Sequence, residues 1–287
     1  MKGSLRFCFF SFSLIAIILQ AEAKIIRKDL YINRGNFVTV KKTTFPFLSF
    51  NPSAVFTSNS EVISTNTRDS ILIIIHNNDS IAHGFAIKNS NFSGLTILAG
   101  QKDSVVFSSD QERVFIYYDP IGFNRYLGAG GMIVVNNSIS KKYYWNLKDH
   151  QTLFNFKIAD GNVVNFRNYE PDYFTINGKS FPDLQNDPGA VVKANVGDTV
   201  LIYMVNTGQS LHSIHFHGFH CTSVYSTSRA IGKNWIKDTY PVYSMEGVVL
   251  RLVPDKKGLY SVHDHNLVAV SGGGTHPNGM FLIMEIQ

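Results

Sequence analysis

The sequence predicts an all-β protein of two similar domains. Three observations carry this: strand-like segments recur along the chain, no stretch of 12 or more residues keeps a helical period, and one half repeats the other. The strand candidates are Ile71–Asn77 (ILIIIHN), Arg113–Asp119 (RVFIYYD), Gly131–Asn136 (GMIVVN), Thr199–Asn206 (TVLIYMVN), Gly247–Pro254 (GVVLRLVP) and Gly279–Ile286 (GMFLIMEI). Each is rich in β-branched or aromatic residues and bounded by Gly, Asn, Asp or Pro, the residues that favour turns over ladders.

The repeat is gapless over 26 residues: Val62–Ile87 overlays Val191–Phe216, setting Asp69 on Asp198, Asn77 on Asn206 and His83 on His212. Further along, Arg113–Val135 resembles Gly258–Met284, with Asp119 on Asp264 and Gly131-Met132 on Gly279-Met280. A period this long means duplicated domains, not a solenoid. Boundaries of 24–140 and 153–287 are expected, joined by a linker over 141–152, each domain a Greek-key β-sandwich.

Lys2 and Arg6 precede a 13-residue apolar run that ends at Ala21-Glu22-Ala23, the pattern of a cleavable signal over residues 1–23. That run is shorter than the roughly 20 residues a bilayer span needs, and no later segment approaches that length. A secreted or periplasmic protein is expected. Loss of Lys2, Arg6 and Glu22 leaves 24 basic and 20 acidic residues, a net +4 too scattered to indicate nucleic acid. Loss of Cys8 leaves Cys221 alone, so no internal disulfide can form. Asn78-Asp-Ser, Asn91-Phe-Ser and Asn136-Asn-Ser match the glycosylation acceptor pattern, which has meaning only in a host that glycosylates.

Four of the ten histidines lie in SLHSIHFHGFHC, Ser210–Cys221. In a strand, residues i and i+2 share a face, so His215 and His217 point together, as do His263 and His265 in SVHDHN. Were the two strands neighbours, about 4.8 Å apart, four imidazoles would converge. Imidazole suits copper, zinc, nickel and iron, whereas structural zinc usually draws on cysteine or closed tetrahedral sets. Cys221 follows His215 and His217 by even steps, which aims it toward their pocket, although a buried thiol is the simpler expectation. Tyr203, Tyr243, Tyr260 and Trp235 could supply core or substrate walls.

Together FTINGKSFP (174–182), VGDTVLIYMVN (196–206), HSIHFHG (212–218) and the run from HDHN (263–266) to THPNGM (275–280) resemble the C-terminal cupredoxin domain of multicopper oxidases, including two-domain laccases and copper nitrite reductases. The resemblance implies two tandem cupredoxin-like Greek-key sandwiches and copper as cofactor, with zinc an alternative. It assigns His215, His217, His263 and His265 to half of a trinuclear cluster, and His212, His276 and Met280 to a second pocket. By the same analogy three subunits would associate, setting domain one of one chain over the metal face of the next, where His76, His83 or Lys88 could reach in.

The chain departs from that pattern where the family has a cysteine between the paired histidines: here stands Asp264. Blue copper depends on a copper–thiolate bond, so no type 1 centre is expected. Asp264, His212 and His276 could form a two-histidine, one-carboxylate set; alternatively Asp264 only accepts hydrogen bonds from histidine. Ala86 and Lys88 stand where domain one would need its histidine pair, so that domain is expected to hold no metal. Three functions remain open: a copper-dependent oxidoreductase with a non-blue site, acting on dioxygen, nitrite or an organic reductant; a copper-handling protein without turnover; and a degenerate scaffold for interaction.

Overall fold

The computed structural model describes residues 24–228 and 231–287, so the leader reading over 1–23 lies outside the described residues. The first half forms β1 (Ile25–Val38), β2 (Thr44–Asn51), β3 (Val62–Thr65), β4 (Ser70–Asn77), β5 (His83–Ile87), β6 (Leu95–Ile97), β7 (Lys102–Ser108), β8 (Arg113–Tyr118) and β9 (Gly130–Val135). These make two sheets, ordered β2-β1-β4-β7 and β3-β9-β8-β5-β6. The second half forms β10 (Lys141–His150), β11 (Tyr173–Ile176), β12 (Lys193–Ala194), β13 (Val200–Asn206), β14 (His212–Phe216), β15 (Cys221–Ser226), β16 (Ile236–Lys237), β17 (Thr239–Val242), β18 (Gly247–Leu252), β19 (Gly258–Asp264) and β20 (Phe281–Ile286). Their sheets run β11-β10-β13-β18-β15-β16 and β12-β20-β19-β14-β17. Apart from the inserted β15 and β16, the two halves share one strand order.

The repeat persists in single hydrogen bonds. Asn77 Nδ2 donates to the carbonyls of Ile81 and Ile97 at 2.7 and 2.9 Å, and Asn206 Nδ2 donates to those of Ser210 and Val242 at the same two distances. Each asparagine closes the turn between two sheets of its sandwich, leaving no buried amide unpaired.

The continuous apolar run of β13 has a cause: both of its faces are covered. Val200, Ile202 and Met204 enter the core of their own sandwich, while Leu201, Tyr203 and Val205 meet Val114, Ile116, Met132 and Val134 of the first half. Polar bonds flank this seam. Arg125 Nη1 donates to the carbonyls of Thr207 and Gly208, and Lys88 Nζ to that of Met245.

The linker expected over 141–152 is instead mostly strand. β10 pairs parallel with β13, Tyr144 opposite Tyr203, and Tyr143, Trp145 and Leu147 enter the second core. Its polar letters hid that alternation. Lys148 and His150 leave on the opposite side from Asp149, buried against Phe47 of the first half. A helix, α1 (Thr152–Ala159), follows and sets Phe154 and Ile158 in the first core. Among the described residues no helix is long and apolar enough to cross a membrane.

Candidate metal site

The two histidine-bearing strands are neighbours. β14 pairs antiparallel with β19, setting His215 directly opposite His263. The ladder runs past the named strands, with His217 N–H donating to the Ser261 carbonyl and His265 N–H to the Ser213 carbonyl. Residues two apart share a face, so all four rings gather. Ring centres of His215 lie 4.6 Å from His217, 5.6 Å from His263 and 5.5 Å from His265. His217 lies 5.0 Å from His263.

Hydrogen bonds orient two of these rings. His215 Nδ1 bonds with Thr239 Oγ1 at 2.8 Å, and His263 Nδ1–H donates to the Asp264 carbonyl at 2.8 Å. Each leaves Nε2 as the donor atom toward the cluster, the arrangement that aims a histidine ligand. His217 Nε2 meets His263 Nε2 at 2.9 Å, one hydrogen held between two nitrogens where a cation could take its place. Partial burial and the three neighbouring imidazoles lower the pKa of His217, favouring the neutral form that ligates. Among the described residues no group of three or more His, Cys, Asp or Glu side chains is placed so that it could hold a metal ion as it stands. The four rings are an open set: His217 and His265 face solvent, His215 and His263 are half-buried. The donor chemistry is that of a nitrogen-preferring metal.

The second pocket differs from its expectation. His212 and Asp264 are both fully buried and joined, Nδ1 to Oδ2, at 2.6 Å. On its other side His212 Nε2 lies 3.5 Å from Asp149 Oδ1, too long for a good hydrogen bond but close for an ion pair. Burial works against charging His212, yet bonding to Asp149 and Asp264 prevails and raises its pKa to about 9. The ring thus sits between two carboxylates that favour its cationic form. His276 is exposed, with Nδ1 on the Val270 carbonyl, and Met280 sits in the apolar core. His276 makes no hydrogen bond to the pair, because the loop from Asn266 to Thr275 carries it outward, and Met280 meets the pair only through its carbonyl, which accepts the Asp264 N–H at 3.2 Å. The arrangement is the hydrogen-bonded alternative, extended by an aspartate from β10 that sequence reading assigned to a linker.

The first half repeats the device with another second acid. His83 Nδ1 meets Asp119 Oδ2 at 2.6 Å and Nε2 meets Asp79 Oδ2 at 2.9 Å. Asp79 follows β4 whereas Asp149 lies on β10, so the repeat could not reveal Asp149. His76 stacks on Tyr31 and bonds Asp29, so His76, His83 and Lys88 all have partners within the chain.

Cys221 is buried in the apolar core, and burial pushes its thiol pKa up. The even-step argument fails because the chain turns at Gly218, φ 78°, and enters the other sheet.

Fold and histidine face together define a two-domain cupredoxin-like protein. Residues 145–276, in the second half, match the family model of the multicopper oxidases. The blue copper oxidase of Nitrosomonas europaea is similar in structure at TM-score 0.76 and 20% identity, over 92% of this chain and 86% of that one. A copper nitrite reductase of the same organism gives TM-score 0.72 and 18% identity over 92% and 94%. A laccase of Botrytis aclada gives TM-score 0.70 and 12% identity over 96% of this chain and 56% of the laccase. At such identities the likeness is one of fold. No curated protein sequence matches the chain.

Proposed function

We propose that the protein is an exported copper-dependent oxidoreductase whose metal is held by His215, His217, His263 and His265, without a type 1 centre. The observation that carries this reading is the gathering of four imidazoles on one face by the β14–β19 pairing. Bound copper would supply one-electron redox chemistry and open coordination positions. The chain's own part is to aim His215 and His263 through Thr239 and the Asp264 carbonyl, and to leave the His217–His265 side open to a small molecule such as dioxygen, nitrite or an organic reductant.

The absence of a type 1 centre rests on the occupied pocket. Asp264 stands where a thiolate would be needed and is committed to His212, while Cys221 is a buried thiol in another sheet. Electrons would then come from substrate at the histidine face itself. Export rests on the charged, apolar and small-residue pattern of the first 23 residues.

A second reading, copper handling without turnover, draws on the same ligands and is favoured by the solvent exposure of His217 and His265. Metal content, electron paramagnetic resonance of the copper form, and oxygen or nitrite consumption separate the two. Turnover that disappears in the His215→Ala, His265→Ala double variant supports the oxidoreductase. Stoichiometric copper without turnover supports handling, and tighter binding of zinc than of copper overturns both.

A further inference from the structure

A hollow of about 750 Å³ opens in the first half, between the turn after β5 and the end of β7. Three phenylalanine rings form its floor. Phe107 and Phe115 are buried and meet edge to face at 4.9 Å, and half-buried Phe92 packs on the same core. The volume lies within the range of small-molecule sites.

Two turns frame the hollow, each held from within by a serine. Ser90 Oγ donates to the Ile87 carbonyl at 2.8 Å and accepts the Phe92 N–H at 3.2 Å. Ser109 Oγ donates to the Gln111 carbonyl at 3.0 Å and accepts the Gln111 N–H at 3.2 Å. Both serines are engaged by the backbone. By contrast, Asn89, Asn91, Ser108 and Asp110 line the hollow without a side-chain partner among the described residues. Free polar groups are ordinary on a surface, but here they surround aromatic carbon on turns already fixed, which lowers the ordering cost of binding. The amides and the hydroxyl can each donate and accept, and the carboxylate accepts. Arg113, whose guanidinium lies 5.3 Å over the Phe115 ring and donates to Gln111 Oε1, adds a cation to the same wall. Its charge and that of Asp110 offset each other. A ligand that matches this set is neutral and rich in hydroxyls, with a ring whose C–H face can lie on a phenyl group.

We propose that this hollow binds a neutral oligosaccharide, with one pyranose ring on Phe92 and its hydroxyls on Asp110, Asn89 and Asn91. The site belongs to the first half, is separate from the histidine face and does not depend on copper.

Maltose and cellobiose titrated into the full chain, followed by calorimetry and ligand-observed NMR, test the proposal. The protein is made in a host that does not glycosylate, because Asn91 heads an acceptor motif. Saturable one-to-one binding of at least one of the two sugars is expected, about tenfold tighter than sorbitol, which has the hydroxyls but no ring. Asp110→Asn should weaken the sugar about tenfold or more, and Asn91→Ala about fivefold. Phe92→Leu, which keeps an apolar side chain but removes the ring, should weaken it about threefold to tenfold. Without sugar, the Asp110 and Asn91 variants should melt as the parent does, since neither side chain has a partner to lose. The His215→Ala, His265→Ala double variant should bind the sugar as the parent does. No saturable binding of either sugar at tens of millimolar, or equal binding by the parent and all three hollow variants, overturns the proposal.

Discussion

His212 and Asp264 meet at 2.6 Å with neither side chain exposed, and His83 and Asp119 meet at the same distance at the equivalent place in the other half. Duplication has therefore kept one buried ion pair twice, whereas the exposed histidine pairs survive in one half only. Removing one partner of such a pair strands a charge in the core.

Asp264→Ala should accordingly cost about 3–5 kcal/mol of stability, and Asp119→Ala a similar amount. Urea denaturation measures both. A loss under about 1 kcal/mol at either position would mean that the pair carries no structural weight.

Metal binding should follow the exposed set alone. His215→Ala with His265→Ala should abolish copper uptake and the stabilisation that ligand binding confers, about 2.7 kcal/mol when free copper is a hundredfold above Kd. His83→Ala should leave the copper count per chain unchanged while lowering stability. Loss of copper from the His83 variant would show that the first half contributes to the site.

No intense blue colour should accompany copper loading, because no thiolate lies beside the histidines. Cys221→Ala should leave the absorption and resonance spectra unchanged, its sulfur being in the core of the other sheet. A blue band in the parent that the alanine variant lacks would refute the assignment.

Lys148 is buried, and burial lowers its pKa from 10.5 to about 7. Between those values the unfolded chain holds a proton that the folded chain does not, so this residue makes stability rise with pH across that window. The stability of the parent minus that of Lys148→Met should climb from pH 7 to 10, by at most about 1.4 kcal/mol per pH unit. A flat difference would mean that Lys148 stays charged in the fold, held by the carbonyl of Gly128 and the hydroxyl of Ser60.

His150, at the end of β10 in a different sheet from the histidine-bearing β14 and β19, has the matching acid behaviour. Burial, and then the nearby Lys148, depress its pKa from 6.5 to about 4. As pH falls through that window the unfolded chain gains a proton that the folded chain refuses, so stability drops. His150→Phe, which keeps a ring against Phe45 and Phe47, should flatten urea midpoints between pH 6.5 and 4 relative to the parent. Parallel pH profiles for variant and parent would contradict this.

Much was legible from local pattern. Alternation and turn residues marked the central strands, the repeat marked the duplication, and the spacing of His215, His217, His263 and His265 placed four rings on one face, because side-chain direction in a strand depends only on parity. Parity fails once the chain turns, which is why Cys221 was aimed at the wrong sheet, and the resemblance that assigned His276 to the second pocket could not see that the loop before it leaves His276 exposed.

By itself the amino-acid order determined the all-β class, the two halves and the histidine pairs, since each is a matter of near neighbours along the chain. Only the tertiary structure decided that 141–150 is a strand, that Asp149 completes the His212 pair, and that Cys221 enters the other sheet. Those outcomes depend on which surfaces distant segments bury against each other, and burial sets the fate of a polar group only once its neighbours in space are in place.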